Sequence, residues 1–352
     1  MTVDGANNSA MIYHLGVGTL RISGISITNG RKYFNDSDTS GACVHTIGDL
    51  QLDHVKVSHC STSAGAYRTV KGGAVFVGGY ASVLHSTISD SSALSISTAG
   101  GRKALGGGIY SGGGLYMIGS TISNNVASTN PRAYSYGGGV AAKGKVTIVE
   151  SLISKNQAYS GGGVYLADLH NTPAVIDNST ISGNNAYIVG GVFARPEVDL
   201  YNSTIAFNTS SKWSGTRGEY AAGLYVSRLA IMQSTIIARN VNTGVDLPSA
   251  DVTGASSAIL LGDNNNVMFC AIVCPLRTTS EDPGLGPLLD NGGPTRTHRP
   301  TPGLWNRFGG NNIHGAQFDQ RGVGFPRESS PDRIEIGAFQ TNSGILFVNG
   351  FN

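Results

Sequence analysis

The sequence predicts an all-β chain, a parallel β-solenoid, and three recurring marks predict it. Ser-Thr-Ile or a close variant returns at Ser86-Thr87-Ile88, Ser120-Thr121-Ile122, Ser151-Leu152-Ile153, Ser179-Thr180-Ile181, Ser203-Thr204-Ile205 and Ser234-Thr235-Ile236. Two weaker copies end at Ile27 and Val57, so successive anchors lie 24 to 34 residues apart. A Gly-Gly-x-apolar motif precedes the anchors, at Gly72, Gly106, Gly137, Gly161 and Gly190, with Ala222-Gly223-Leu224-Tyr225 as a degraded copy. Three residues past the anchor stands an asparagine in four consecutive units: Asn125, Asn156, Asn184 and Asn208. A unit this short cannot bury its own apolar side, so neighbouring units must stack and share a core.

Each element of the unit has a physical reason. The glycine pair suits a corner where φ is positive or backbones approach closely. The stretch after it alternates, as in Lys145-Val146-Thr147-Ile148-Val149, with the period of two that a pleated strand requires and no 3.6-residue pattern. The isoleucine of Ser-Thr-Ile points inward and piles into an aliphatic stack, with strands ~4.8 Å apart from turn to turn. The asparagine forms a ladder at a corner, bonding backbone groups of successive turns. The remaining residues are a variable loop, and all such loops emerge on one edge.

Residues 1–240 carry the turns. From Val241 to Thr279 the period fades, and beyond Ser280 the chain is dense in Pro and Gly, with Pro283, Pro287, Pro294, Pro300 and Pro302 in succession. Residues 241–352 therefore read as the last irregular turns and a cap folded along or over them, because an uncovered solenoid end is an exposed strand edge. Cys43 and Cys60 lie within one turn and Cys270 and Cys274 within one loop, which reads as paired disulfides of an exported protein; the alternative is four buried or free thiols.

Composition narrows the function classes. Of 352 residues 50 are Gly, about twice the usual share, while only 13% are charged and 40% are hydrophobic. This argues against a disordered chain, a coiled coil or a charged nucleic-acid module. The formal charge of +2 implies no partner by itself. No apolar run approaches the ~18–20 residues that span a bilayer. The opening Met1-Thr2-Val3-Asp4-Gly5 enters a strand pattern at once, which suggests a fragment whose export signal lies outside it. No nucleotide-binding Gly-x-Gly-x-x-Gly, Gly-x-Ser-x-Gly elbow or His-Glu-x-x-His is present.

The repeat pair resembles that of chlamydial polymorphic outer-membrane proteins, with Ile in place of Phe before x-x-Asn. It is still more similar to bacterial secreted right-handed parallel β-helix repeat proteins that end in a choice-of-anchor segment. The matching tail motifs are Gly286-Pro287-Leu288-Leu289-Asp290-Asn291-Gly292-Gly293-Pro294-Thr295, Asp319-Gln320-Arg321-Gly322 and Ile336-Gly337-Ala338-Phe339, and Phe347 to Asn352 resembles a terminal sorting tag. Leu304-Trp305-Asn306 and Glu335 depart from the pattern. The resemblance implies a single-stranded right-handed β-helix, export, and a secreted or outer-surface location. It fixes no reaction.

Two surfaces are candidates for chemistry. The loop edge interleaves cations and rings, among them Tyr67, Arg68, Arg102, Lys103, Arg132, Tyr134, Trp213 and Arg217, a track on which Arg grips acidic groups and rings stack on sugars. The alternative is a loop surface of ordinary exposed residues. On the strand before Ser-Thr-Ile, Asp177 and Tyr201 stack with Asp199 diagonal to Asp177. Such a carboxylate pair would suit a retaining glycosidase, and a uronic-acid lyase could use Arg102, Lys103, Arg132 and Tyr134. His54 and His85 share a corner in adjacent turns, but Gly119 and Glu150 follow, so they read as a polar ladder and no metal site is assigned. Asp36 and Asp38 offer oxygens to Ca²⁺ without a complete ligand set; otherwise no cofactor is expected. The reading is a monomeric, exported adhesive or polysaccharide-binding surface, with a polysaccharide-degrading enzyme on the same scaffold as the alternative.

Overall fold

A computed structural model describes residues 1–65, 68–96, 102–130, 134–167, 172–211, 221–244, 250–301, 309–328 and 334–341. Among them there is no helix, and the strands coil into a parallel β-solenoid. Three long sheets of eleven, nine and nine strands form its body. The eleven-stranded motif sheet carries the Ser-Thr-Ile strands, each about three residues long, such as Thr121–Ser123 and Leu152–Ser154. They are short because a left-handed residue brackets each end: Glu150 (φ 49°) and Lys155 (φ 56°) around Leu152–Ser154, Asn178 (φ 45°) and Gly183 (φ 65°) around Thr180–Ser182. The glycine sheet begins after each Gly-Gly, and the first glycine turns the corner, as Gly106 does at φ 69°. The third, wide sheet carries the alternating strands, such as Lys145–Val149.

Inward side chains stack in register. Ile88, Ile122, Ile153, Ile181 and Ile205 are each fully buried and paired turn to turn. The last copy is displaced by one residue from the sequence reading: Ile205 pairs with Ile237, not Ile236. Identity matched Ser234-Thr235-Ile236 to the motif, but Ile237 faces the core and Thr235 takes the serine's place. That place is a hydrogen-bonding column. Each hydroxyl accepts the N–H of its counterpart one turn earlier, Ser86 from Val55, Ser120 from Ser86, Ser151 from Ser120 and Ser179 from Ser151, and donates to the carbonyl two residues back.

The asparagines form a second, interior column. Asn156 Oδ1 accepts from Asn125 N and Nδ2, Asn184 Oδ1 from Asn156, Asn208 Oδ1 from Asn184 and Asn240 Oδ1 from Asn208. Their amides reach across the coil toward the glycine just before the glycine-sheet strand of the same turn; a Cβ on Gly163 would sit 3.0 Å from Asn184 Nδ2. Where the asparagine is absent the pair across the coil changes together: Ser91 faces the Ala74 position, and Cys60 is bonded to Cys43. Cys270 is bonded to Cys274.

Asp251 ends this column. Its Oδ1 accepts from Asn240 N and Nδ2 and its Oδ2 from Phe269 N, and burial pushes its carboxyl up to about 6. A carboxyl raised above its unfolded value of 3.8 favours the folded state in its protonated form, so stability is lost as pH rises through that window. Between pH 5 and pH 7 this group is expected to cost about 1 kcal/mol. Urea unfolding at both pH values should show that loss in the native chain and a flatter response in Asp251→Asn; equal slopes would refute it.

The segment between the asparagine corner and the next Gly-Gly is not simply loop. It forms a two-layered arm: an eight-stranded outer sheet, from Arg31–Phe34 to Val241–Asn242, and a four-stranded inner sheet, from Thr39–Ser40 to Ser135–Tyr136. Ala64, Val70, Ala93, Ala104, Ala127 and Ala158 fill the arm. The turns also continue past Val241, through the strand Asn265–Val267. The C-terminal segment then folds back along the outward face of the motif sheet. Gln320 bonds Thr180 and Thr295, His298 bonds Ser182, Ala338 N donates to Thr204, and Leu285 and Ile336 pack on Ala206, Ile236 and Ala238.

Candidate functional site

The arm's outer face carries a shallow cleft lined by Ser128, Ser135, Gln157, Tyr159, Asn185 and Tyr187. Its geometry follows from register. Gln157 pairs with Asn185 and Ala158 with Ala186, so the pleat turns the alanines inward and leaves both amides exposed. Tyr159 and Tyr187 follow those strands one turn apart and stack at 5.0 Å with an interplanar angle of 29°. Tyr159 N donates to Ser135 Oγ and Ile188 N to Tyr159 O, which fixes the ring's root. None of the described residues lining the cleft is charged. Amides and hydroxyls both donate and accept, beside an aromatic surface, so the cleft suits a hydroxylated, uncharged ligand group.

A second aromatic array lies where arm meets body. On the glycine sheet Tyr13, His45, Phe76 and Tyr110 stack at 4.6, 4.8 and 5.7 Å, and Tyr165, Phe193 and Tyr225 at 5.4 and 4.6 Å. Ala141 interrupts the column, and Tyr136 of the arm leans onto Tyr165 at 4.7 Å. Parallel rings cover one another's faces, and Tyr110 and Tyr165 are buried, so this column is a seam rather than a platform. Lys71 stands over Tyr110 and Lys32 over Tyr13, while Lys32 Nζ also donates to Ser40 O. Burial in the seam pulls Lys32 down to about 8 and lowers His45 as well. The sequence carried the signal in the residue after the first, core-facing valine, isoleucine or leucine of these strands, such as Phe76 after Val75 and Phe193 after Val192, which the loop-centred reading passed over.

The predicted edge residues divide. Tyr134 (49% exposed) and Lys103 face solvent and Arg68 is half-buried, but Arg102 is only 7% exposed. The alternation that turns Ala104 into the arm turns Arg102 with it, so Arg102 does not belong to an exposed basic track. Tyr67, Arg132, Trp213 and Arg217 lie outside the described residues. Asp38 Oδ1 accepts from Thr69 N, a bond between successive turns.

The carboxylate pair is placed as expected in register, with Asp177 opposite Tyr201 and Asp199 opposite Val175. Its surroundings were not foreseen. His314 from the C-terminal segment lies on Tyr201 at 3.6 Å, and Arg327 reaches the same face. Burial raises Asp177, Asp199 and Glu150, and the Asp177 charge raises Glu150 further. Tyr201, hydrogen-bonded to Asp199, is raised by burial and by both aspartates. Three carboxyls with elevated proton affinity could serve as acids, but the segment that supplies His314 and Arg327 packs against them. Glu150, His314 and Arg327 had no sequence signal, because the last two come from residues remote along the chain.

Among the described residues no helix is long and apolar enough to cross a membrane. No family model, curated protein or solved structure matches the chain significantly, so the likeness to exported β-helix proteins rests on the motifs alone.

Proposed function

We propose that the protein is an exported β-solenoid that holds a polysaccharide along the outer face of its arm. The observation that carries this is the Tyr159–Tyr187 pair set beside the paired, exposed amides of Gln157 and Asn185, a repeated hydroxyl-, amide- and ring-bearing surface at strand spacing. The outer column continues from Arg31 through Ser61, Ser92 and Val126, so a linear polymer meets one residue per turn without entering a closed site. Two disulfides suit an oxidising compartment, and the tail motifs resemble those of surface-exported β-helix proteins. The alternative, a uronic-acid lyase or glycoside hydrolase, draws on Glu150, Asp177 and Asp199 beneath the C-terminal segment.

A panel of neutral and acidic polysaccharides separates the readings. Retention of at least one polymer, without new reducing ends or unsaturated products, is the expected result. Tyr187→Ala should weaken that retention about tenfold, the equivalent of ~1.4 kcal/mol, and Asn185→Ala by less. Retention by no polymer, or retention untouched by Tyr187→Ala and Gln157→Ala, would overturn the arm assignment. Product formation abolished by Asp177→Asn would establish the enzyme instead.

A further inference from the structure

At the corner between the wide sheet and the motif sheet, near the N-terminal end of the coil, three ligand-bearing side chains converge. Asp53 Oδ1 lies 2.7 Å from His54 Nδ1 and 3.9 Å from His85 Nδ1, and the three ligand atoms fall within 4.8 Å of one another. We propose that Asp53, His54 and His85 form a binding site for a divalent transition-metal ion of the zinc class, clipping two successive turns together.

Backbone conformation sets the arrangement. His54 and His85 occupy the same corner one turn apart, both left-handed at φ 54° and 45°, and His54 N is bound to Leu84 O. The fold therefore fixes the roots of both rings in register, and the rings stack at 5.0 Å with 27° between planes. The neighbours in this corner column leave room. Gly119, on the next turn, lacks the Cβ that would lie 2.8 Å from His85 Cδ2, and nothing lies within 4 Å of the Cβ direction of Gly24, on the turn before. The imidazoles and carboxylate remain partly open to water, with side-chain exposures of 69%, 49% and 40% for His54, His85 and Asp53.

The donor set selects the ion. Two imidazole nitrogens and one carboxylate oxygen suit Zn²⁺, Co²⁺, Ni²⁺ or Cu²⁺, whereas Ca²⁺ and Mg²⁺ take oxygen shells. Around a tetrahedral ion with bonds of about 2.0–2.2 Å, ligand atoms lie roughly 3.3 Å apart. The two Asp53 separations straddle that value, so small rotations of exposed side chains suffice. In this arrangement His54 Nδ1 and Asp53 Oδ1 are hydrogen-bonded to one another. The remaining coordination positions face solvent.

Equilibrium dialysis of the intact chain against Zn²⁺, with Co²⁺ absorption as an independent report of coordination, tests the site. One equivalent of Zn²⁺ should bind, weakened at least tenfold in His85→Ala and in Asp53→Asn and unchanged in His59→Ala, an exposed histidine of another corner column. Bound Co²⁺ should give ligand-field bands that disappear in the same two variants. No uptake, uptake that persists in both His85→Ala and Asp53→Asn, or Ca²⁺ bound as tightly as Zn²⁺ would overturn the assignment. The substitutions lie on the surface, so unchanged circular dichroism secures the comparison.

Discussion

Asn184→Ala is expected to destabilise the coil by about 4 kcal/mol. Asn184 is fully buried and serves four bonds. It accepts from Asn156 N at 2.9 Å and Asn156 Nδ2 at 3.0 Å, and donates to Ile153 O and Asn208 Oδ1. Alanine strands two donors of Asn156 and removes a partner from two acceptors, all at buried positions. Each orphaned buried group costs about 1–3 kcal/mol, which sets the estimate. Chemical denaturation should report it as a lower midpoint at unchanged slope. The alternatives already present in the column sharpen the test. Cys43 and Cys60 fill the positions equivalent to Gly163 and Asn184, so Gly163→Cys with Asn184→Cys should close a disulfide and recover much of the loss when oxidised. If Asn184→Ala unfolds at the native midpoint, the ladder is not what holds the turns in register.

The repeat made the asparagine and serine columns readable, because their signal is local and returns at every turn. Their partners were only half readable. Gly163 marks a corner in the sequence, but its second duty, leaving space for the Asn184 amide across the coil, depends on which turn faces which. The arm was hidden for a related reason. Its later strands, such as Gln157–Ala158 and Asn185–Ala186, are two residues long, and its interior is mostly alanine, too small and too brief for a period to register. Identity misled at Ser234-Thr235-Ile236, where one added residue moves Ile237 into the core, and at Gly190-Gly191-Val192-Phe193, where Val192 rather than Phe193 takes the place of Val164. At the candidate sites, the pairing of His54 with His85 followed from the period, while Asp53 joined them only through the direction in which a left-handed corner points its neighbours. The cover over Asp177 and Tyr201 depends on His314 and Arg327, which no repeat links to them.

Arg327→Met is expected to release the C-terminal segment from the coil while leaving the coil folded. The guanidinium is fully buried, and burial pulls it down to about 10. It is held by the carbonyl of Gly337 at 2.8 Å within its own segment and by the Asn178 amide oxygen on the coil, with Asp177, Asp319 and Glu335 supplying opposite charge. Removing one partner of a buried charge network costs about 3–5 kcal/mol, because the groups left behind keep their desolvation penalty. Here that penalty falls on the interface rather than on the turns, since the neighbouring contacts of Arg321, stacked between Phe325 and Phe339 and paired with Asp319, belong to the segment itself. Limited proteolysis should therefore cut within residues 309–328 while the coil's β signal persists, and hydrogen exchange should quicken at Ala338, whose N–H is bound to Thr204. Arg327→Lys keeps a charge but cannot reach both the Asn178 oxygen and the Gly337 carbonyl, so it should fall between the two. Exposure of Asp177 and Asp199 in the released form offers a further reading: a polysaccharide cleaved by Arg327→Met but not by the native chain would mean that the segment covers a working pair of carboxyls, whereas retention on the arm alone in both forms would leave them as the segment's electrostatic anchor.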